Sequence, residues 1–156
     1  YAQINRATFY RHYRDKYQIL EEYFRNLYEL TNPPPESGPG ITIEGINPVN
    51  PAMIAVFEHI ATNARFYCVM LGKNGDAAFT EKIRQTIVKR IRVVLPIQLR
   101  NNKTLLEPYL SYISNGILGT LIWWLENDMP YSPDKLATIG YELIIADLNV
   151  LQGSSK

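Results

Sequence analysis

The sequence predicts an all-α protein, and three observations support this fold class. Apolar residues recur at helical spacing through most of the 156 residues. Residues that favour helix starts, namely Asn50 with Pro51 and Asp76, stand directly before such stretches. Strand character is limited to 41–43, which is too short to be stable without partners.

Composition indicates a cytoplasmic globular protein. The length suits one compact domain, or a small module attached to a larger one, and apolar residues make up 46% of the chain, enough to fill a sizeable core. Because Cys68 is the single cysteine, no intrachain disulfide can form, which fits a reducing compartment. No segment approaches the ~20 uninterrupted apolar residues of a membrane helix, and no signal-peptide pattern opens the chain. Since the first residue is Tyr1, we expect the natural protein to be longer.

The net charge is +1, but the charged residues are distributed unevenly along the sequence. Residues 5–16 carry a local charge of +3, and 82–103 contain seven Lys or Arg and no acid. Residues 105–152 carry six acids against Lys135. A polyanionic partner is therefore favoured at one end only, and a solvated helix face is the favoured interpretation of 82–103.

The N-terminal residues predict two short helices followed by a linker. Asn5 can cap a helix that runs to Tyr13, and Asp15 can cap a second that runs to about Leu30. Residues 32–51 hold six of the ten prolines, which excludes a regular helix there.

The remaining sequence predicts four longer helices. The first starts at Pro51 and is ended by Gly72; the second is capped by Asp76 and kinked or ended by Pro96. The last two, at about 106–125 and from Ser132-Pro133 to about Leu151, are apolar around most of their circumference. A single chain of this size covers only one side of each of these two helices.

The N-terminal motif carries a family resemblance. The run Ile4-Asn-Arg-Ala-Thr-Phe-Tyr-Arg-His-Tyr13, followed by Asp15-Lys16, closely resembles the recognition-helix signature of the tetracycline-repressor (TetR/AcrR) family of bacterial transcription regulators. Segments 66–67, 71–76 and 124–127 look like a C-terminal domain of this family found in Gram-positive bacteria. The resemblance implies part of a helix-turn-helix DNA-binding domain at 1–31, a linker at 32–50 and a helical, dimer-forming regulatory domain at 51–152.

Side-chain chemistry in this motif suits DNA. On a helix from Asn5 to Tyr13, Phe9 and Tyr13 share one anchoring face. Arg6 can then donate two hydrogen bonds to a guanine edge, while Lys16 can contact phosphate at the start of the next helix. The residues predicted to contact a double-stranded operator are Asn5, Arg6, Thr8, Tyr10, Arg11, His12 and Lys16.

Two further sites are predicted in the C-terminal domain. Its aromatic residues are core by default, but the resemblance implies that this region encloses a small apolar or aromatic effector, and both interpretations stay open. The candidate effector residues are Phe66, Tyr67, Met70, Tyr109, Tyr112 and Ile113. The uncovered apolar stripes predict a homodimer, with Gly116 and Gly119 permitting close helix approach. The candidate interface residues are Ile117, Thr120, Leu121, Trp124, Leu143, Ile144 and Leu148.

Enzymatic chemistry has little support in the sequence. No nucleophile, base and orienting residue recur together, and 71–76 lacks the spacing of a phosphate-binding loop. His12, His59 and Cys68 do not have metal-ligand spacing, so no metal or cofactor is expected. The predicted function is regulation of transcription by a dimer on a near-palindromic operator, repression being the commoner outcome in the family. Two alternatives remain: a protein-interaction co-regulator without DNA binding, and a small-molecule-binding or catalytic helical domain.

Overall fold

The computed structural model of the chain describes residues 51–153. The chain divides into two units, 1–34 and 35–156, and every described residue belongs to the second. The predicted N-terminal helices and the 32–50 linker lie outside the described residues.

Residues 51–153 form helices and connecting turns without a strand, so the all-α prediction is confirmed. Their bounds are α1 Pro51–Thr62, α2 Ala64–Leu71, α3 Ala77–Val94, α4 Ile97–Asn101, α5 Leu106–Glu126 and α6 Pro133–Gly153.

The single helix predicted from Pro51 to Gly72 is interrupted at Asn63, which separates α1 from α2. The Asn63 side-chain amide donates to the carbonyl of His59 at 2.9 Å, and the Thr62 hydroxyl donates to the carbonyl of Glu58 at 2.8 Å. Side chains that bond the carbonyl four residues back tend to bend or break helices. The prediction of one continuous helix was therefore wrong at this position.

The ends of α2 and α3 follow the local signals of the sequence. Asp76 caps α3 as predicted, because its side chain accepts from the backbone N–H of Phe79 at 2.8 Å. A Cβ at Gly75 would collide with the carbonyl oxygen of Met70, so this turn requires glycine. Pro96 ends α3, as expected, and then begins the short helix α4, which the sequence analysis missed.

Helix α5 lies at the centre of the described domain. It packs most extensively against α3 and also contacts α2 and α4, while α1 packs against α6. The largest fully buried side chains include Trp124, Tyr67, Phe79 and Leu110. A second part of the core joins α3, α4, α5 and α6 around Leu148. The outer sides of α5 and α6 are left without a covering helix among residues 51–153.

Candidate interaction face on helices α5 and α6

Helices α5 and α6 each expose a stripe of apolar or small residues with the same spacing. The α5 stripe consists of Tyr112, Gly116, Gly119 and Trp123, and the α6 stripe consists of Ile139, Leu143, Ala146 and Val150, of which Ile139 is partly buried. Both follow the pattern i, i+4, i+7, i+11, which keeps the four residues on one side of a helix. We call these two stripes together the α5–α6 face.

Large side chains on the α5–α6 face are exposed to an unusual degree. The exposed fractions are 63% for Tyr112, 56% for Leu143 and 67% for Val150. Scattered apolar residues on a surface need no explanation, but a contiguous group of this kind marks an interaction site.

Glycines make the α5–α6 face open to close approach. A Cβ built at Gly116, Gly119 or Gly140 would meet no atom within 4 Å outside its own helix backbone. Packing within the chain therefore does not require glycine at any of the three positions. Because these positions carry no side chain, another helix or a ligand can approach the backbone of both helices closely.

A groove of about 220 Å³ runs between α5 and α6 and reaches α1 at Phe57. It is mostly apolar, and Asp147 is the one charged residue in its lining. The lining residues are Phe57, Tyr112, Ile113, Gly116, Ile117, Thr120, Leu121, Leu136, Gly140, Leu143, Ile144, Ala146 and Asp147.

The structure separates the predicted dimer residues into two groups. Leu143 is exposed, and Ile117, Thr120 and Ile144 are partly buried in the lining of the groove. Leu121, Trp124 and Leu148 have exposed fractions of only 5%, 0% and 1%, so they belong to the core of the chain itself. Leu121 also lines the groove, whereas Trp124 and Leu148 do not, and the assignment of all three to an interface stays a prediction.

The rotation of α5 about its axis decides which of its side chains are buried. The buried residues include Leu110, Leu118, Trp124 and Leu125, and α5 packs against α2, α3 and α4. The outward side carries Tyr112 and Trp123, which sequence analysis had not placed at an interface. The regular spacing of this α5 stripe could have identified it in the sequence. It was missed because two of its four residues are glycines, which add little to an apolar pattern.

The predicted effector residues lie in different environments, and only two of the six line the groove between α5 and α6. Phe66 packs edge-on against Tyr67 and Phe79, with ring centroids 5.4 and 5.7 Å apart. Tyr67 and Met70 are buried, so these α2 residues contribute to the packed core. The rings therefore pack against neighbouring rings, which is consistent with the interpretation of these residues as core, and their role in an effector site stays a prediction.

The three predicted effector residues on α5 differ in their exposure to solvent. Tyr109 and Ile113 are buried in the core cluster, whereas Tyr112 is exposed. The groove lining includes Tyr112 and Ile113 and does not include the other four predicted residues.

The phenol of Tyr109 is buried and unpartnered. Its side chain is 6% exposed, and its hydroxyl forms no hydrogen bond within the described part of the chain. Burial raises the pKa of Tyr109 to about 12, with further contributions from the charge of Asp147 and from Tyr112. The ring lies 6.4 Å from that of Tyr112, centroid to centroid. Tyr109 is therefore close enough to Asp147 and Tyr112 to be affected by both, although it does not line the groove.

The basic stretch at 82–103 forms ion pairs on the surface. Arg84 pairs with Glu81 one turn earlier, and this contact lowers the pKa of Glu81 to about 2. Arg92 joins α3 to α5 through Glu107, with a nitrogen–oxygen distance of 3.0 Å. Two of the basic residues are thus engaged by acids on the surface, which fits a solvated helix face.

Other predicted sites are not represented in the described part of the chain. The seven predicted DNA-contacting residues, from Asn5 to Lys16, lie outside it. Residues 51–153 contain no group of three or more His, Cys, Asp or Glu able to hold a metal ion. Of the helices between Pro51 and Gly153, none is long and apolar enough to cross a membrane.

The described helices form an all-α domain with an uncovered apolar face on α5 and α6. Residues 48–146 match the TetR-type family model described as a transcriptional regulator C-terminal region. This match covers more than half of the chain, and the protein therefore belongs to the TetR family of transcriptional regulators. The resemblance found in the N-terminal motif is thereby confirmed at the level of the family. No curated protein and no solved structure matches the chain significantly.

Proposed function

We propose that this regulator binds a near-palindromic operator on double-stranded DNA as a homodimer, represses transcription from it, and responds to a small-molecule effector in its C-terminal domain. The observation that carries the proposal is the pair of equally spaced stripes exposed on α5 and α6. Membership of the TetR family supplies the regulatory context.

Pairing through the α5–α6 face follows from burial. A second copy related by a two-fold axis would place its own two helices against these stripes and form a four-helix interface. Exposed Leu143 and Val150 would then lose contact with water, and each buried methylene contributes roughly 0.8 kcal/mol. Gly116 and Gly119 allow the central helices to approach closely.

The same two-fold axis would position the two DNA-recognition helices of the dimer. Two helices spanning Asn5 to Tyr13, one from each copy, would enter successive major grooves about 34 to 36 Å apart. The distance between the two DNA-binding helices can differ between conformations of the dimer. An effector that binds one conformation better than another increases its population and thereby changes the affinity for the operator.

The test uses the full-length gene product. Sedimentation velocity at micromolar concentration measures its association state, and selection from a randomised DNA pool followed by fluorescence anisotropy measures operator binding. We expect a dimer and enrichment of near-palindromic sequences. A stable monomer contradicts the pairing, whereas a dimer that enriches no sequence contradicts operator binding and favours the co-regulator alternative.

A further inference from the structure

We propose that Asn74 is a site of covalent self-modification, at which the side-chain amide is lost as ammonia through a cyclic imide formed with Gly75. The inference is independent of the proposed function, because it involves neither the α5–α6 face nor DNA. It rests on the different surroundings of the two Asn-Gly pairs of the chain, 74–75 in the turn before α3 and 115–116 within α5. The sequence alone predicts the same chemistry at both pairs.

The reaction needs an asparagine followed by a residue that leaves its backbone nitrogen accessible. The deprotonated nitrogen of Gly75 attacks the side-chain carbonyl carbon of Asn74 and forms a new C–N bond. The amide nitrogen leaves as ammonia with the proton that the backbone nitrogen has lost. Water then opens the five-membered imide at one of its two carbonyls, which gives either aspartate or isoaspartate at 74. Glycine favours the first step because no Cβ obstructs the attack.

The turn between α2 and α3 leaves Asn74 accessible and weakly held. Asn74 and Gly75 are both exposed, and both lie outside the helices. Within the described part of the chain, no hydrogen bond holds the Asn74 side chain. The Gly75 N–H donates to the carbonyl of Gly72 at 2.7 Å, so one bond at the surface has to open before the nitrogen can attack. Exposed turns of this kind open at low free-energy cost.

The second Asn-Gly pair is held in the middle of α5. The Asn115 side-chain amide donates to the carbonyl of Ser111 at 2.8 Å, which directs it back along the helix and away from the Gly116 nitrogen. In an α-helix the Gly116 N–H is itself bonded to the carbonyl four residues earlier. Attack therefore requires local unfolding of the central helix, which costs more than opening a turn. The reaction is expected at Asn74 and not at Asn115, although both side chains are exposed.

Isoaspartate at 74 would disturb the start of α3, because it adds one carbon atom to the backbone of a tight turn. The Asp76 N–H donates to the Met70 carbonyl at 2.9 Å, and this same carbonyl lies against Gly75. A longer chain shifts both groups. Asp76 also caps α3 by accepting from the N–H of Phe79, whose ring is buried in the core. The modification therefore weakens the cap and lowers the stability of the domain.

The test follows both asparagines in one sample of the full-length protein at mildly alkaline pH, which favours deprotonation of the backbone nitrogen. Peptide mass spectrometry measures the replacement of the amide by a carboxylate at each position over time. We expect the reaction at Asn74 to be at least about tenfold faster than at Asn115, because a helix centre opens more rarely than a turn. In urea, which unfolds both segments, the two rates should become similar.

Three outcomes in the folded protein would overturn the proposal. They are similar rates at the two positions, a faster reaction at Asn115, and an unmodified Asn74 after the unfolded chain has reacted fully. Leu143→Glu, which is expected to be monomeric, should still protect Asn115, because the protection comes from the helix and not from a second copy. Rapid reaction at Asn115 in this variant would contradict that reason.

The effect on α3 is tested by stability. Asn74→Asp carries the charge of the product without the additional backbone atom, so it should keep the urea midpoint of the unmodified protein. Aged protein enriched in isoaspartate at 74 should have a lower midpoint. An unchanged midpoint after ageing, or an equal loss in Asn74→Asp, would refute the proposed effect on the turn. Neither measurement depends on operator binding, so a failed regulator proposal leaves this inference in place.

Discussion

The indole N–H of Trp124 donates a hydrogen bond to the backbone carbonyl of Tyr131 across 2.8 Å. This bond joins the last turn of α5 to the loop before α6. The loop also contains Asp128 and Met129 with positive φ values of 55° and 52°, a conformation that is costly for residues other than glycine. The Met129 N–H in turn donates to the Trp124 carbonyl at 2.8 Å, so both the side chain and the backbone of Trp124 form hydrogen bonds with the loop.

Replacing Trp124 by Phe should lower the free energy of unfolding by about 1 to 3 kcal/mol, because the hydrogen bond is lost and a buried space opens. Urea denaturation followed by circular dichroism measures the change. Ile97→Val is the control, since Ile97 is 40% exposed and lies outside the α5–α6 face, and it should change stability by about 0.5 kcal/mol or less. Equal losses in the two variants would show that the bond to Tyr131 does not stabilise the loop.

The cap of α3 gives a second stability prediction. Asp76→Ala removes the acceptor for the N–H of Phe79 and should cost about 0.5 to 2 kcal/mol of unfolding free energy. Asp76→Ser retains an acceptor at this position and should recover most of the loss. A Ser variant as unstable as the Ala variant would contradict a capping role.

Pairing predicts different outcomes for two leucine substitutions. Leu143→Glu places a charge on the exposed α5–α6 face and should give a folded monomer, whereas Leu121→Glu buries a charge in the core and should unfold the domain. Sedimentation velocity and circular dichroism distinguish these results. Asn149→Glu, exposed on α6 but outside its stripe, should remain dimeric. A dimeric Leu143→Glu protein would place the interface elsewhere.

The buried phenol predicts a loss of stability in alkali. The pKa of Tyr109 is about 12 in the fold, against an ordinary value of about 10 in the unfolded chain. Between these values the unfolded phenol ionises first, so stability present below pH ~10 is lost progressively as the pH rises toward ~12. Tyr109→Phe should make this loss less steep, as measured by urea denaturation across the alkaline range. Tyr112→Phe, on an exposed ring, provides the comparison, and an identical effect in both variants would refute the assignment.

The N-terminal motif predicts two kinds of DNA-binding defect in the full-length protein. Arg6→Ala should cost about 1 to 3 kcal/mol of discrimination between operator and altered sites, because a contact to a base edge is lost. Lys16→Ala should weaken binding to all sequences alike and reduce the salt dependence, because a phosphate contact is lost. Fluorescence anisotropy across a salt series separates the two. Identical defects would mean that Arg6 also contacts only the backbone.

Local sequence signals were sufficient to predict most of the helix ends. Asp76 supplies its own capping oxygen, Pro96 cannot continue a helix, and Gly75 avoids a clash in a tight turn. Each of these effects involves neighbouring residues only, so they can be inferred without a fold. Asn63 was missed because its side chain competes for a helix carbonyl only in certain conformations.

The sequence by itself determined the all-α class, most helix ends and the family of this regulator. The tertiary structure alone decided which side of α5 is buried, because a helix that is apolar around most of its circumference can pack in more than one rotation. That rotation buries Trp124 completely, exposes Trp123 and brings Asp147 to the groove beside α5. The helices that cover one side of α5 are α2 and α3, together with the adjacent short helix α4, and their packing determined the buried side of α5, which spacing along one helix could not.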